Sequence, residues 1–491
     1  MIFETKNRSV KTSSSFFEGY LLVLVLVFGA IFFAIVTSFV GSLVTQSKLV
    51  AVRVAEQKAA EIAEAGLNYY KWRLAHYPDD VTDGTGAPGP YVHVYSDPED
   101  GPIGEFSLSI ASTTYCGDIA SIEVTSVGTV YGNVKATSSV TARYSRPTVA
   151  DYSFITNGAT WYGSSRVITG PVHSNQGIRM DGQHNSYVGS GVSSWTCTAS
   201  FGCSPDQTVD GIYTTSGLAT PGLFSFPVSP VDFVGLTLDL AQMKTKAQTG
   251  GGIYLPPSGS WGYKLNFNGD GTITVRKVTG TYSYWAYSTY EGWHTSERNV
   301  ITSLGSPTTY TINSSCPLIY VEDKLWLQGD VSQKVAVAAA NLSSGAQTNI
   351  VIGGEDTVHG NLRYVPNTDA GLLAIAEDDI DIGLQVPTDM EADGIFVAQN
   401  GRFGVNFYYP WYFPGWLRPY ICRNSLTRYG SVVSNGRVGT SWGSNFNYCG
   451  TYASGFANRF TSFDANQVDD PPPFTPNTSD VYELTNWKSG H

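Results

Sequence analysis

Residues 20–44 read YLLVLVLVFGAIFFAIVTSFVGSLV, and residues 45–72 continue TQSKLVAVRVAEQKAAEIAEAGLNYYKW. From Tyr20 to Val44 no residue carries a charge. About 25 such positions suffice for a helix to cross the hydrocarbon core of a bilayer. Between Lys48 and Trp72 there is no proline and a single glycine, Gly66, among many Ala, Glu, Lys and Leu, all good helix formers. The stretch therefore predicts one unbroken helix of roughly 50 residues, about 80 Å long. Its first half is apolar on every face and its second half is amphipathic. Positive charge at Lys6, Arg8 and Lys11 places the preceding segment in the cytoplasm and the rest of the chain outside. The apolar run exceeds the core of an ordinary secretory signal, so the helix is expected to be retained.

The remaining chain is of a different texture. The 491 residues include 52 Gly, 30 Tyr, 23 Phe and 11 Trp, with only 14% charged. That balance suits an extracellular β protein and has too many aromatic and β-branched residues for disorder. A net charge of −12 argues against nucleic-acid binding, which needs a basic face. Phe106–Ile110 alternates with period two, Ile122–Val130 does so in part, and the Gly132–Asn133 turn leads into Lys135–Tyr144. These segments predict a small antiparallel sheet over 79–146, its apolar face on the upper part of the helix. From 147 to 465, short apolar strands alternate with Gly, Asn and Asp turns, as in Leu372–Ala376, Ile380–Ile382 and Gly394–Ala398. This predicts a large, mainly β head, either a β-helix or solenoid or, since no fixed period is visible, a β-sandwich. Asp232 to Gln248 reads as one short helix within it. The tail, 466–491, is expected to fold back on the head through Tyr482 and Trp487. The fold class is α+β, with a leader over 1–19 and a helix over 20–78.

Glycine at position 19 precedes the apolar run, with basic residues upstream. This resembles the cleavage site of type IV prepilins, in which a dedicated peptidase cuts after such a glycine; here the cut would separate Gly19 from Tyr20. The segment Ala55-Glu56-Gln57-Lys58-Ala59-Ala60-Glu61-Ile62-Ala63-Glu64-Ala65-Gly66-Leu67 is similar to the AEAG-containing helix end of PilX-like minor pilins. The resemblance covers residues 15–75. Blocks in the head, such as GPVHSN and LAIAEDDIDI followed by AQNGRFG, look similar to those of large bacterial pilin-like proteins. The family's major subunits carry glutamate at the fifth mature position, where this chain has Leu24. The resemblance therefore implies a minor subunit rather than the repeating shaft, with a prepilin peptidase and other pilin-like subunits as partners. On the helix itself, Ala55, Ala59, Ala63 and Gly66 leave a flat strip against which another helix is expected to pack.

Six cysteines follow the membrane segment, none in a CxxC pair and none with histidine at zinc spacing. An even number on one side of a membrane predicts disulfides, with buried free thiols as the alternative. Cys197 and Cys203 flank a short loop, Cys422 and Cys449 close a Gly/Ser-rich segment, and Cys116 and Cys316 remain. The acidic group Glu377, Asp378, Asp379 and Asp381 cannot converge on one ion if it is extended, because neighbours point to opposite faces. Gly439-Thr440-Ser441-Trp442-Gly443 matches G-x-S-x-G in letters but no helix follows it. No metal or cofactor site emerges. The unusual cluster is aromatic: Tyr408, Tyr409, Trp411, Tyr412 and Trp416. It is either a ligand surface, for example for a glycan, or the cap of the β head.

The expected function is that of a non-enzymatic, membrane-inserted pilin-like subunit displaying a head for tip, adhesion or assembly roles. A signal-anchored adhesin outside any fibre and a polysaccharide-active surface enzyme are the alternatives, the latter needing two facing carboxylates.

Overall fold

A 60-residue helix, α1 (Phe17–His76), opens the computed structural model. The model describes residues 17–99, 101–236, 239–288, 292–343, 348–354, 360–443 and 447–490. The leader expected over 1–19 falls, up to residue 16, outside the described residues. Side chains from Tyr20 to Val54 are almost all exposed, phenylalanines and leucines included. From Ala55 onward one face turns inward, with Ala59, Ile62, Ala63, Leu67, Tyr70 and Leu74 buried.

What covers that face is an antiparallel sheet: β1 (Tyr91–Asp97), β2 (Gly101–Tyr115), β3 (Asp118–Val130) and β4 (Thr137–Ser145). Phe106, Leu108, Ile122, Val124, Val140, Ala142 and Tyr144 form its apolar side. The helix lies unusually close to it. A Cβ built on Gly128 would sit 2.2 Å from the carbonyl oxygen of Ala59 and 2.5 Å from the amide nitrogen of Ala63. One on Gly66 would sit 2.3 Å from Ser126 Oγ. The strip of small residues expected to receive a neighbouring helix is thus filled by the chain's own sheet. Tyr144 fastens the contact by donating its hydroxyl to the carbonyl of Leu67 at 2.8 Å.

The sheet has a fifth strand from the far end of the sequence. Glu483–Gly490 pairs antiparallel with β4, and Tyr482 is buried among the helix and sheet residues. The tail expected on the head therefore completes the small sheet. An unpaired β4 edge would expose a row of amide and carbonyl groups, and the tail satisfies them. The large β unit is in consequence an insertion between the fourth and fifth strands.

Within the insertion the strands stack in parallel. One sheet of ten strands runs, in spatial order, from Phe224–Ser225 through Val188–Ser190, Val172–Ser174, Phe154–Thr156, Val432–Ser434, Ile395–Ala398, Gly371–Ala376, Lys334–Ala339 and Leu318–Val321 to Ile253–Leu255. All of its neighbours are parallel. A second parallel run stacks Gln183–His184, Arg166–Thr169, Ser454–Ser462, Cys422–Tyr429, Asp389–Asp393, Leu362–Tyr364, Leu325–Val331 and Tyr263–Asn268. Shorter parallel sets join Ile350–Ile352, Ile380–Ile382 and Phe403–Gly404, and Thr160–Tyr162, Ile178–Met180 and Ile212–Tyr213. Because both runs are parallel throughout, a sandwich of antiparallel sheets does not form.

The order of turns is permuted. The chain enters mid-stack at Phe154, builds outward to Phe224–Ser225, and crosses through α2 (Leu240–Thr249) to the opposite end at Ile253. It then winds back until Val432–Ser434 pairs with Phe154–Thr156. Helix α2 starts later than the sequence pattern indicated, at an Asp239 cap that accepts from the Gln242 amide at 2.9 Å. Its Leu240, Met243 and Ala247 cover the outer face of the ten-stranded sheet against Ala336, Ala338, Leu373 and Ile375. Both faces of these strands are therefore dry, which explains the unbroken apolar run Gly371–Ala376.

The glycine contact yields a measurable expectation. Gly128→Val places a branched side chain into helix backbone and is expected to lower unfolding stability by about 1–3 kcal/mol, the usual cost of overpacking. Circular-dichroism melting of the detergent-solubilised chain checks this, and an unchanged Tm would mean that helix and sheet do not pack this closely.

Candidate functional site

Two regions bear on function: the mount where the head meets the stem, and an aromatic surface on the head.

At the top of α1, Arg73 donates to Asp80 at 2.7 Å and lies 3.4 Å from Asp83. Asp83 is shared by His93 at 2.6 Å and the Tyr69 hydroxyl at 3.2 Å. Burial pushes the Asp80 carboxyl up, but hydrogen bonds from Thr82 and Arg73 outweigh it and hold the group down at about 2. This clamp ties the loop after the helix to the sheet. On the other side the six cysteines are paired as Cys116–Cys316, Cys197–Cys203 and Cys422–Cys449, so no thiol is free. Cys116–Cys316 joins the β2–β3 turn to the head across 200 positions. Beside it the Cys116 amide donates to the Ser315 carbonyl at 2.9 Å, and Lys246 of α2 meets Asp118 at 2.5 Å and the Cys116 carbonyl at 3.2 Å. Lys334 binds Asp470, which also meets Arg143 of β4 at 3.6 Å. The head is thus held to the stem by two chain crossings, one disulfide and these ion pairs.

The aromatic cluster divides in two. Tyr408 is buried, its ring 6.0 Å from that of Tyr284 and 5.6 Å from that of Phe413, and so belongs to the head's core. Trp411, Tyr412 and Trp416 are 57%, 56% and 51% exposed. Tyr409 lies partly buried between them, 5.2 Å from both Trp411 and Tyr412. The strand Thr272–Ser288 adds Trp285, 5.9 Å from Tyr412, and Tyr282, 5.5 Å from Trp416. Tyr448, close in sequence to the Cys422–Cys449 bridge, stands 6.3 Å from Trp411. Sequence inspection missed Trp285 and Tyr448 because no spacing links them to residues 408–416.

Beneath this surface runs a buried polar network. Glu297 accepts from Tyr284 at 2.9 Å, from Asn299 at 2.7 Å and from Asn406 at 2.6 Å. Asn299 also reaches Asp381 at 3.4 Å, and Asp381 lies 3.4 Å from Arg402. Burial raises the Asp381 carboxyl above the carboxylate range, with Asp379 and Glu297 adding and Arg402 opposing. The rest of the acidic group is dispersed: Asp379 caps the Arg402 amide at 2.6 Å, and Glu377 accepts from Asn341 at 3.0 Å. Among the described residues no three His, Cys, Asp or Glu side chains are placed to hold a metal. Ser441 of the G-x-S-x-G match lies in a short strand paired with Ser454–Ser462.

Tyr20 stands near the start of α1, fully in the apolar segment, and that helix is long and apolar enough to cross a membrane. No family model matches the chain, and no curated protein matches it. Among solved structures, the crystal structure of the competence-associated pilin ComZ from Thermus thermophilus overlays with a TM-score of 0.30 at 13% identity, covering 89% of this chain and 98% of that one. An overlay at that level leaves function to be argued from the stem and the head themselves.

The Asp80 clamp has a pH signature. A carboxyl depressed from 3.8 to about 2 stabilises the fold above about pH 4, and that contribution is lost as pH falls from about 4 to 2. Equilibrium denaturation of wild type and Asp80→Asn over this range is expected to converge at the acid end. A gap that stays constant with pH would show that Asp80 carries no such linkage.

Proposed function

We propose that this chain is a type IV pilin-like minor subunit: its helix enters the membrane after removal of a leader at Gly19–Tyr20, and its head is displayed outside the cell. The observation that carries the reading is the stem. A helix apolar all round for its first half lays its second half, through Ala59, Ala63 and Gly66, onto an antiparallel sheet. The side chains exposed from Tyr20 to Val54 have no use in an isolated soluble protein, where apolar patches of this size mark a membrane or partner surface. Because its own sheet fills the small-residue strip, the contacts with other pilin-like subunits fall to this first half of the helix. In this reading the head is a parallel β-helix, non-enzymatic, and serves a tip, adhesion or assembly role. Glu297 and Asp381, the carboxylates that share Asn299, are buried, which favours this over a polysaccharide-degrading site.

The deciding experiment is the mature N-terminus, by mass spectrometry of the chain co-expressed with a prepilin peptidase and recovered from membranes and sheared surface fibres. The expected chain begins at Tyr20. An intact leader and absence from sheared material would instead leave a signal-anchored adhesin.

The exposed rings of Trp411, Tyr412 and Trp416 favour a ligand surface on the head, and flat aromatic faces suit a glycan. The double variant Trp411→Ala/Trp416→Ala is expected to keep its Tm while losing retention on a glycan array that the wild type binds. Equal retention would remove the aromatic patch from the binding function.

A further inference from the structure

Three buried arginines of the head that share one face make no ion pair with any described carboxylate. Arg166, Arg428 and Arg459 are 5%, 2% and 8% exposed. Arg459 and Arg166 are register partners on adjacent parallel strands, so their side chains leave the sheet on the same face. Arg428 is the register partner of Thr461, two positions beyond Arg459, and so shares that face. The face is the inner one. The Arg428 guanidinium lies 4.7 Å from the ring centre of Phe154 and 5.1 Å from that of Phe403. That of Arg166 lies 5.3 Å from the Phe154 ring and 5.5 Å from the Tyr162 ring, all core residues.

Three like charges have thus been taken out of water together, which costs several kcal/mol per ion unless a counter-charge is present. Among the described residues no carboxylate lies within ion-pair distance of any of the three. Their hydrogen bonds go to neutral hydroxyls: Arg166 to Thr440 at 2.8 Å, Arg428 to Thr461 at 3.4 Å, and Arg459 to Ser165. Arg428 Nη1 and Arg459 Nε are buried with no hydrogen-bond partner among the described residues. Burial lowers Arg428 and Arg459 to about 9, with the Arg166 charge adding to both and the more distant Asp393 only partly opposing on Arg428, and lowers Arg166 to about 10. All three remain cationic at neutral pH. Cation–π contact with Phe154, Phe403 and Tyr162 offsets part of the cost but supplies no acceptor for the unused N–H groups. Buried donors left over in this way call for an ion or a water.

We infer that the head holds one small inorganic anion of about chloride's size among Arg166, Arg428 and Arg459, as a structural counter-ion inside the stack of strands. The Arg166 and Arg428 guanidiniums lie against the rings of Phe154, Tyr162 and Phe403 in the core, which favours a bare ion over a nucleotide or a sugar phosphate. Its position gives it a role. Arg166 belongs to the first-made turns of the head and Arg428 and Arg459 to the last-made, so the ion locks the place where the two windings meet. It is independent of the pilin-like reading.

Two measurements on the full chain in detergent test this. Long-wavelength anomalous diffraction sees chlorine, sulfur and phosphorus but not water. A peak among the three guanidiniums is expected, and water density without one overturns the site. Thermal melting is then followed as chloride replaces gluconate at constant ionic strength. A ligand bound only by the folded state is expected to raise Tm by about 2 °C per tenfold chloride once above its Kd. Arg428→Met is expected to flatten that dependence. Identical melting of the wild type in both salts overturns the proposal, whether or not the variant folds.

Discussion

The head depends on one seam, the parallel pairing of Val432–Ser434 with Phe154–Thr156. Backbone amides and carbonyls buried in a protein must find partners. A stack of parallel strands satisfies them only between neighbours, so each of its two ends is a liability and any break in the middle would add two more. This chain starts its stack in the middle. Its first turns therefore present an unsatisfied edge until the last turns arrive to cover it. The second parallel run closes at the same join, where Arg459 pairs in register with Arg166, and the seam is reinforced by Asn157, whose side-chain amide donates to Asn435 at 2.8 Å and accepts from Asn175 at 3.0 Å. The Ser431 hydroxyl reaches back to the Ala150 carbonyl at 3.5 Å, adding one more contact across the same join.

Much of the stem was legible in the sequence because its signals are local. An uncharged run fixes a helix long enough for a membrane, and alternation in Phe106–Ile110 fixes a strand with one wet face. The strands of the head were legible one at a time for the same reason. Their order was not. No period in the sequence says that residue 166 lies beside residue 459, since parallel pairing at large separation leaves no local trace. The closing strand was misplaced on similar grounds: Tyr482 and Trp487 announced a surface to cover, but only the bare edge of β4 determined which one. The aromatic patch was half legible. The run 408–416 stood out by composition, whereas alternation of direction in an irregular segment sent Tyr408 inward and left Trp411 and Trp416 outside.

Stem and head are joined in a way that suppresses relative motion. A domain hung on a single linker can swing, but here the chain leaves the small sheet at Ser145 and returns to it at Glu483, on adjacent strands. The Cys116–Cys316 bridge adds a third attachment at the β2–β3 turn, at the same end of the sheet. Three attachments side by side leave less freedom than one. A pull on the head is therefore passed to the sheet, and from the sheet to the helix through the glycine contacts, without a hinge to absorb it.

The insertion also sets a schedule for synthesis. Residues 91–145 are made early, yet the sheet they begin waits for a partner strand some 340 positions later. A ribosome that stalls within the head releases a chain whose β4 edge is bare and whose stem is open to proteases and misassembly. Only a chain that has already produced its whole head can close the stem, so the fold checks that the head has been made before the stem is complete.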